Sequence, residues 1–331
     1  MESRRNAKLK ILYIIDILKK HSDEEHPLSA AQICEYLAEY EISAERKAIY
    51  DDIENLIYYG FDIIKTRSPK AGVFLASRDF EIPEIYLLTD AVQSADFITP
   101  KKTRELVSKL DSMLSVEQAK LRQHSTYIEY NHKCNNEEIY ITIDSVRRAI
   151  ELSRKITLRY ISHRFGDGRK IEVSEKHFKV SPYALIWTDD HYYLVCNNEK
   201  YNNLMHLRLD RMKSVNTTDE PSRHFSECSS YSDVFDTSDY ISKAFNMFGG
   251  EQTEIELRCN ETILEQIIDR FSENIHITDK SDGKFNFRTK ALVSDGLVSW
   301  LMQFGEDIEV VSPPTIREML KKKIEEVAKI Y

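Results

Sequence analysis

The sequence predicts an α+β fold divided among several domains, and three observations lead there. At 331 residues the chain is too long for one ordinary hydrophobic core. Its apolar spacing changes along the chain, from a mainly helical period of 3.6 before about residue 153 to a strand period of two from there to about residue 217. With 41% hydrophobic residues and only 9 Gly and 8 Pro, it has material for packed cores and little for disordered tracts. The expected division is 1–80, 81–143, 144–217, 218–252 and 253–331.

The first 80 residues read as three helices and a hairpin. Residues 7–20 place Leu9, Ile11, Leu12, Ile14, Ile15 and Leu18 on one apolar stripe. Ser29 and Gln32 form a capping-box signature for a helix carrying Ile33, Tyr36 and Leu37. After the turn Glu41-Ile42-Ser43, Ser43 is the expected N-cap of a helix over about 44–58. That helix buries Ile49, Ile53, Leu56 and Ile57 and stops at Gly60. FDIIKTRSPKAGVFLAS then gives two strands around a Ser68–Gly72 turn. This is the plan of a winged helix-turn-helix. Its candidate DNA contacts are Ser43, Arg46, Lys47 and Tyr50 at the start of the third helix, and Lys65, Arg67 and Lys70 in the wing. Asp51, Asp52 and Glu54 on the same helix would repel phosphate if they faced it.

Residues 84–124 read as helical, with Thr99 as N-cap before Pro100 and a stripe of Leu106, Val107, Leu110, Met113 and Leu114. Such a stretch serves as a spacer or dimer interface, or packs onto its neighbours. Residues 126–143 read as a polar linker, after which Asp144 caps a helix to about Ser153. KITLRYIS, KHFKVSPYALIW, HYYLVCNN and NLMHLRLDRMKSVN follow as strands, with Asp189-Asp190 as a hairpin turn. One helix and several short strands predict a small barrel-like sheet. The Ser- and Asp-rich stretch 219–250 reads as a linker, and 253–331 as an α+β unit in which Asn260 caps a helix.

The formal net charge is −9, yet residues 144–217 hold 14 Lys and Arg against 9 Asp and Glu. A local positive excess in an acidic chain points to a focused anion site. Alternation along HLRLDRM puts His206, Arg208 and Asp210 on one strand face, with Arg211 near its end. Basic groups on a sheet need partners, either Asp210, Asp189 or Asp190 within the chain, or an external anion. Tyr160, Tyr183, Trp187, Tyr192 and Tyr193 supply interleaved aromatic faces suited to stacked bases.

Five scattered cysteines without a CxxC pair give neither a zinc site nor a disulfide framework. No apolar run approaches the roughly 20 residues that span a bilayer, and the start lacks a signal-peptide pattern, so a cytoplasmic protein without membrane contact is expected. No HExxH, P-loop or nucleophile elbow is present, so no catalytic residue, metal or cofactor is expected. The alternatives are an adaptor that uses the winged helix for a protein partner, and an enzyme that processes nucleic acid.

These motifs together resemble those of the WYL-domain transcription regulators across nearly the whole chain. SAERKAIYDDIENL, Ser43 to Leu56, is similar to the family's recognition helix, and EIPEIYLLTDAVQSADFIT to its helical connector. Ser181-Pro182-Tyr183 and His206-Leu207-Arg208-Leu209-Asp210-Arg211 resemble its sensor motifs. The signature tripeptide reads Tyr192-Tyr193-Leu194, with Tyr in place of Trp, and Asp51 stands where the family often has Arg. The resemblance implies an Sm-like β fold for 144–217, a C-terminal WCX extension and a homodimer on a pseudo-palindromic operator. It implies a nucleotide or single-stranded nucleic-acid effector, held by Ser181, Tyr183, Tyr193, His206, Arg208 and Arg211; Tyr160, from the aromatic set above, is the seventh candidate ligand contact.

Overall fold

The computed structural model describes residues 2–123, 133–166, 170–272 and 275–331. The chain forms two compact units, Met1–Asn135 and Asn136–Tyr331. Both mix helices with antiparallel sheet, as an α+β chain should.

The first unit opens with α1 (Glu2–His21), α2 (Ala30–Glu39) and α3 (Arg46–Tyr59), then the hairpin β1 (Ile63–Thr66) and β2 (Gly72–Leu75). Ile14, Leu18, Ile33, Leu37, Ile49 and Ile53 are fully buried between the helices, which is where the periodicity put them. The Ser29–Gln32 capping box forms in both directions. Gly60, at φ +121, ends α3 with a backbone conformation that side-chain-bearing residues avoid. Gly72 lies against the Leu28 backbone, where a Cβ would meet carbonyl atoms at 2.8 Å. Reciprocal Leu28–Val73 hydrogen bonds of 2.8 Å pin the hairpin to the loop before α2.

Ser43 does not cap α3. Glu45 occupies the N-cap position with no side-chain bond to the helix. Ile42 is buried in the core, and the chain passes Ser43 without helical structure before α3 begins.

The connector forms α4 (Ile82–Ser94), α5 (Pro100–Asp111) and α6 (Val116–Gln123). Thr99 caps α5 through Lys102 N–H as expected. The anticipated apolar stripe is only partly covered: Leu114 is buried, Leu106, Val107 and Leu110 half-buried, and Met113 exposed. Arg78 joins this layer to the first helices. Its Nη1 donates to the carbonyls of Lys19 at 2.7 Å and Met113 at 3.1 Å, and its Nη2 to that of Ser22 at 2.7 Å. Beside it, Ser115 donates to Asp23 at 2.5 Å.

Of the expected linker 126–143, residues 126–132 lie outside the described residues. The helix that follows starts earlier than Asp144, as α7 (Ile139–Glu151), because Ile139, Thr142, Val146 and Ala149 form its buried stripe. Asp144 lies inside it.

The second unit continues with β3 (Arg154–Phe165), β4 (Ile171–Thr188), β5 (His191–Asn197), β6 (Met205–Arg208) and β7 (Met212–Pro221), in the sheet order β6-β5-β4-β3-β7. Asp189 and Asp190, at φ +49 and +56, make the predicted tight hairpin. The run expected as one strand, HLRLDRM, is broken. Leu209–Arg211 is a single 3-10 turn that hands the chain from one outermost strand to the other.

The stretch 218–252 is a packed element rather than a linker. It carries the rest of β7, then α8 (Thr237–Lys243), and buries Tyr240, Ala244, Phe245 and Met247. The C-terminal part comprises β8 (Glu251–Asn260), α9 (Leu264–Phe271), β9 (His276–Ser281), β10 (Lys284–Val293), α10 (Asp295–Met302), β11 (Ile308–Ser312) and α11 (Pro314–Ala328). Its sheet order is β11-β8-β10-β9, over a core of Leu257, Ile267, Phe285, Phe287, Leu301 and Ile316. Asn260 holds the expected N-cap position, at the 3-10 turn Glu261–Ile263 that leads into α9, but its side chain makes no cap bond there; its amide donates to Asp307 at 2.5 Å.

Candidate nucleic-acid and effector sites

On α3 the helical period that buries Ile49 and Ile53 turns Arg46, Lys47 and Tyr50 outward, and all three are exposed. Ser43, Lys65, Arg67 and Lys70 are exposed too. The acidic residues of the helix are partly neutralised. Lys10 lies 2.7 Å from Asp52, and Lys65 pairs with Glu54. The second pair draws one expected wing contact back onto α3, leaving Arg67 and Lys70 at the tip.

In the second unit the strand register gathers Ala184, Ile186, Tyr193, Val195, His206 and Arg208 on one sheet face. The 223–247 segment covers much of that face. Ala184, Ile186 and Val195 form one core with Tyr240, Ala244, Met247 and Leu292 of β10.

This cover occupies three of the expected effector residues. Ser181 is fully buried, and its hydroxyl accepts the Arg223 N–H at 2.9 Å. Tyr183 packs against the rings of both Phe225 and Phe235 and shares a hydrogen bond with Cys228; burial and that thiol push its pKa up. His206 Nε2 sits 2.8 Å from the Tyr240 hydroxyl, and burial drops its pKa to about 4.

The remaining four stay nearer to solvent. Arg208 donates through Nε and Nη2 to Asp210 at 3.1 and 2.7 Å, with 27% of its side chain exposed. Burial opposes its charge and Asp210 more than restores it. The backbone N–H of Arg208 donates to the Tyr160 hydroxyl at 3.4 Å. Tyr193 is half-buried, its pKa raised by burial against the pull of Arg208. Arg211 is exposed, with no ion pair among the described residues.

Of the internal partners open to Arg208, the one it takes is Asp210. Alternation places the two on one face, and the pair is made across the 3-10 turn rather than along a strand. Sequence reasoning also missed Arg223, Cys228 and Tyr240, which stand singly in a polar stretch with no readable period. Among the described residues, no group of three or more His, Cys, Asp and Glu could hold a metal ion. No described helix is long and apolar enough to cross a membrane.

Because His206 is held neutral, acid should weaken this fold. Its folded pKa of about 4 lies below the usual 6.5, so the unfolded chain binds more protons between those values. The stabilisation is complete above pH 6.5 and is lost as pH falls toward 4. Melting of the wild type should drop between pH 7 and 5 by more than that of His206→Gln; equal slopes would contradict the assignment.

Residues 142–217 match the WYL domain, and residues 251–328 match the WCX domain. Together, these two domains and the relative named next support a WYL-domain transcription regulator. Among individual proteins it is 22% identical over 315 residues to the uncharacterized HTH-type transcriptional regulator YobV of Bacillus subtilis strain 168, covering 92% of this chain and 94% of that one. Two solved structures align over 97% of the chain. Proteasome accessory factor B/C (PafBC) of Arthrobacter aurescens does so at 17% identity with a TM-score of 0.27, and a CRISPR Cas-related protein at 15% with 0.36. The chain spans 48% of the PafBC chain and 84% of the second. The families and the relative's name point to a regulatory protein rather than an enzyme.

Proposed function

We propose that the chain regulates transcription by binding duplex DNA through residues 1–80, acting as a winged helix-turn-helix, under the control of an anionic effector beside Arg208. The observation that carries this reading is the outward row Arg46, Lys47 and Tyr50 on α3, beside Asp52 and Glu54 that are each tied to a lysine. An exposed helix start with unspent cations suits a major groove, where Arg can read guanine bidentately.

The effector is a nucleotide or a short single strand. Arg208 is clamped by a carboxylate, and a phosphate presents the same two-oxygen edge to the guanidinium. An arriving phosphate therefore displaces Asp210, with Tyr193, Tyr160 and Arg211 around it. The strand order β6-β5-β4-β3-β7, closed by one short turn, supports an Sm-like barrel for this domain. A homodimer would place two heads on a pseudo-palindromic site.

Duplexes enriched by the protein from a random pool test both halves. Arg46→Ala with Lys47→Ala should weaken binding to the enriched sequence by about 1–3 kcal/mol, roughly five- to 150-fold. Adding nucleotides or short single strands should shift the affinity of the wild type and leave Arg208→Ala unmoved. Enrichment of no sequence, or indifference to the double variant, overturns the DNA reading; an effector response retained by Arg208→Ala overturns the sensor reading.

A further inference from the structure

The positive excess of 144–217 does not reside at Arg208 and Arg211. Residues 154–180, the β3–β4 hairpin, hold 8 Lys and Arg against 3 Asp and Glu, leaving 6 against 6 in the rest of that segment. The whole of the local excess belongs to one ribbon.

That ribbon outruns its sheet. β3 pairs with β7 only as far as Tyr160, and β4 pairs with β5 only from Ser181. From Ile161↔Glu175 to Phe165↔Ile171 the two strands pair with each other alone, a projection of about 17 Å at the rise of an antiparallel strand. Such an isolated two-stranded ribbon is marginal in water without something to lie against.

Cations lie on both of its faces, three of them paired: Arg164 with Glu172, Arg159 with Glu175, and Lys179 with Glu220. Arg164 and Lys176 share one face, while Arg159, His177 and Lys179 share the other. Lys170 and Lys176 are exposed and make no ion pair among the described residues. Toward the end, Phe165, Ile171 and Val173 gather on one face, 80%, 68% and 60% exposed.

We propose that the β3–β4 ribbon is a nucleic-acid contact in its own right, meeting a groove of duplex DNA with its cations toward the phosphates and Phe165 against the bases. A second copy of the ribbon fits poorly, because two such arms repel. A membrane surface would meet one face, whereas a groove presents phosphates on both sides. The major groove admits a two-stranded ribbon, and apolar side chains can wedge between base steps from the minor groove. The contact is independent of Arg46 and Lys47, so it can stand or fall apart from the reading above.

The test uses the full chain carrying Arg46→Ala and Lys47→Ala, which weakens the head, and a mixed-sequence duplex titrated with salt. Adding Arg164→Ser, Lys170→Ser and Lys176→Ser should lower affinity about tenfold or more near 100 mM salt and flatten the log–log salt slope by about 2–3, since each phosphate contact contributes about 0.9. Phe165→Ser should lower affinity with the slope unchanged. A slope and affinity unmoved by the triple substitution overturn the proposal. So does triple-sensitive capture of phosphatidylserine vesicles with duplex binding intact, which assigns the ribbon to a membrane. Loss of a dimer in Phe165→Ser with duplex binding intact assigns it to a second copy and likewise overturns the proposal. Unchanged melting of each variant excludes misfolding as the cause.

Discussion

Tyr240→Ala is expected to destabilise the second unit by about 3–5 kcal/mol, the range for emptying a buried aromatic site. Tyr240 is almost wholly buried against Ala184, Ile186 and Val195 of the sheet, with Phe235 at 5.3 Å and His206 at 5.7 Å between ring centroids. Its loss creates a cavity and removes the hydroxyl that His206 Nε2 meets at 2.8 Å. Tyr240→Phe isolates the second effect and should cost about 1–3 kcal/mol, the penalty for a buried polar atom left unsatisfied. Denaturant melts of both variants give the two numbers, and the His206 pKa should climb from about 4 toward 6.5 once water enters. A loss under 1 kcal/mol in Tyr240→Ala would show that the segment merely rests on the sheet.

Arg78→Ala should cost roughly 2–4 kcal/mol, since hydrogen bonds from a charged donor carry about 1.5–3 kcal/mol each and partial rehydration returns some of it. One planar guanidinium reaches three carbonyls, two at the end of α1 and one between α5 and α6. Lysine cannot reproduce that fork, so Arg78→Lys should recover less than half of the loss. The functional reading is sharper than the thermal one. With this joint loosened, hydrogen exchange should quicken at the end of α1 and around Met113 together. Faster exchange at one site only would mean that Arg78 does not couple the layers.

The sequence was most informative where local chemistry and burial agree. Ser29 with Gln32, Gly60, Thr99 with Pro100, and Asp189 with Asp190 all sit at the turn or cap their side chains favour. It misled where a distant contact decides. Ser43 has the chemistry of a cap, but α3 starts past it, after Ile42 has entered the core. Asp144 was outweighed by the apolar stripe that begins at Ile139. In 218–252 the aromatic anchors Phe225, Tyr231, Phe235 and Tyr240 are spaced singly among Ser and Asp, so composition reads as solvent while each ring is packed against others. The exposed row on α3 was legible from helical period alone. The effector residues are legible as a group, but the cover over Ser181, Tyr183 and His206 depends on residues 34 or more positions away in sequence, and no spacing rule carries that information.

Leu292 belongs to β10 yet completes the apolar layer over Ala184, Ile186 and Val195. The stretch 142–217 is therefore recognisable as a heritable module without being a self-sufficient one. Transplanted alone as an interchangeable receptor, it would arrive with a bare greasy wall; portability requires carrying everything to residue 328 along with it.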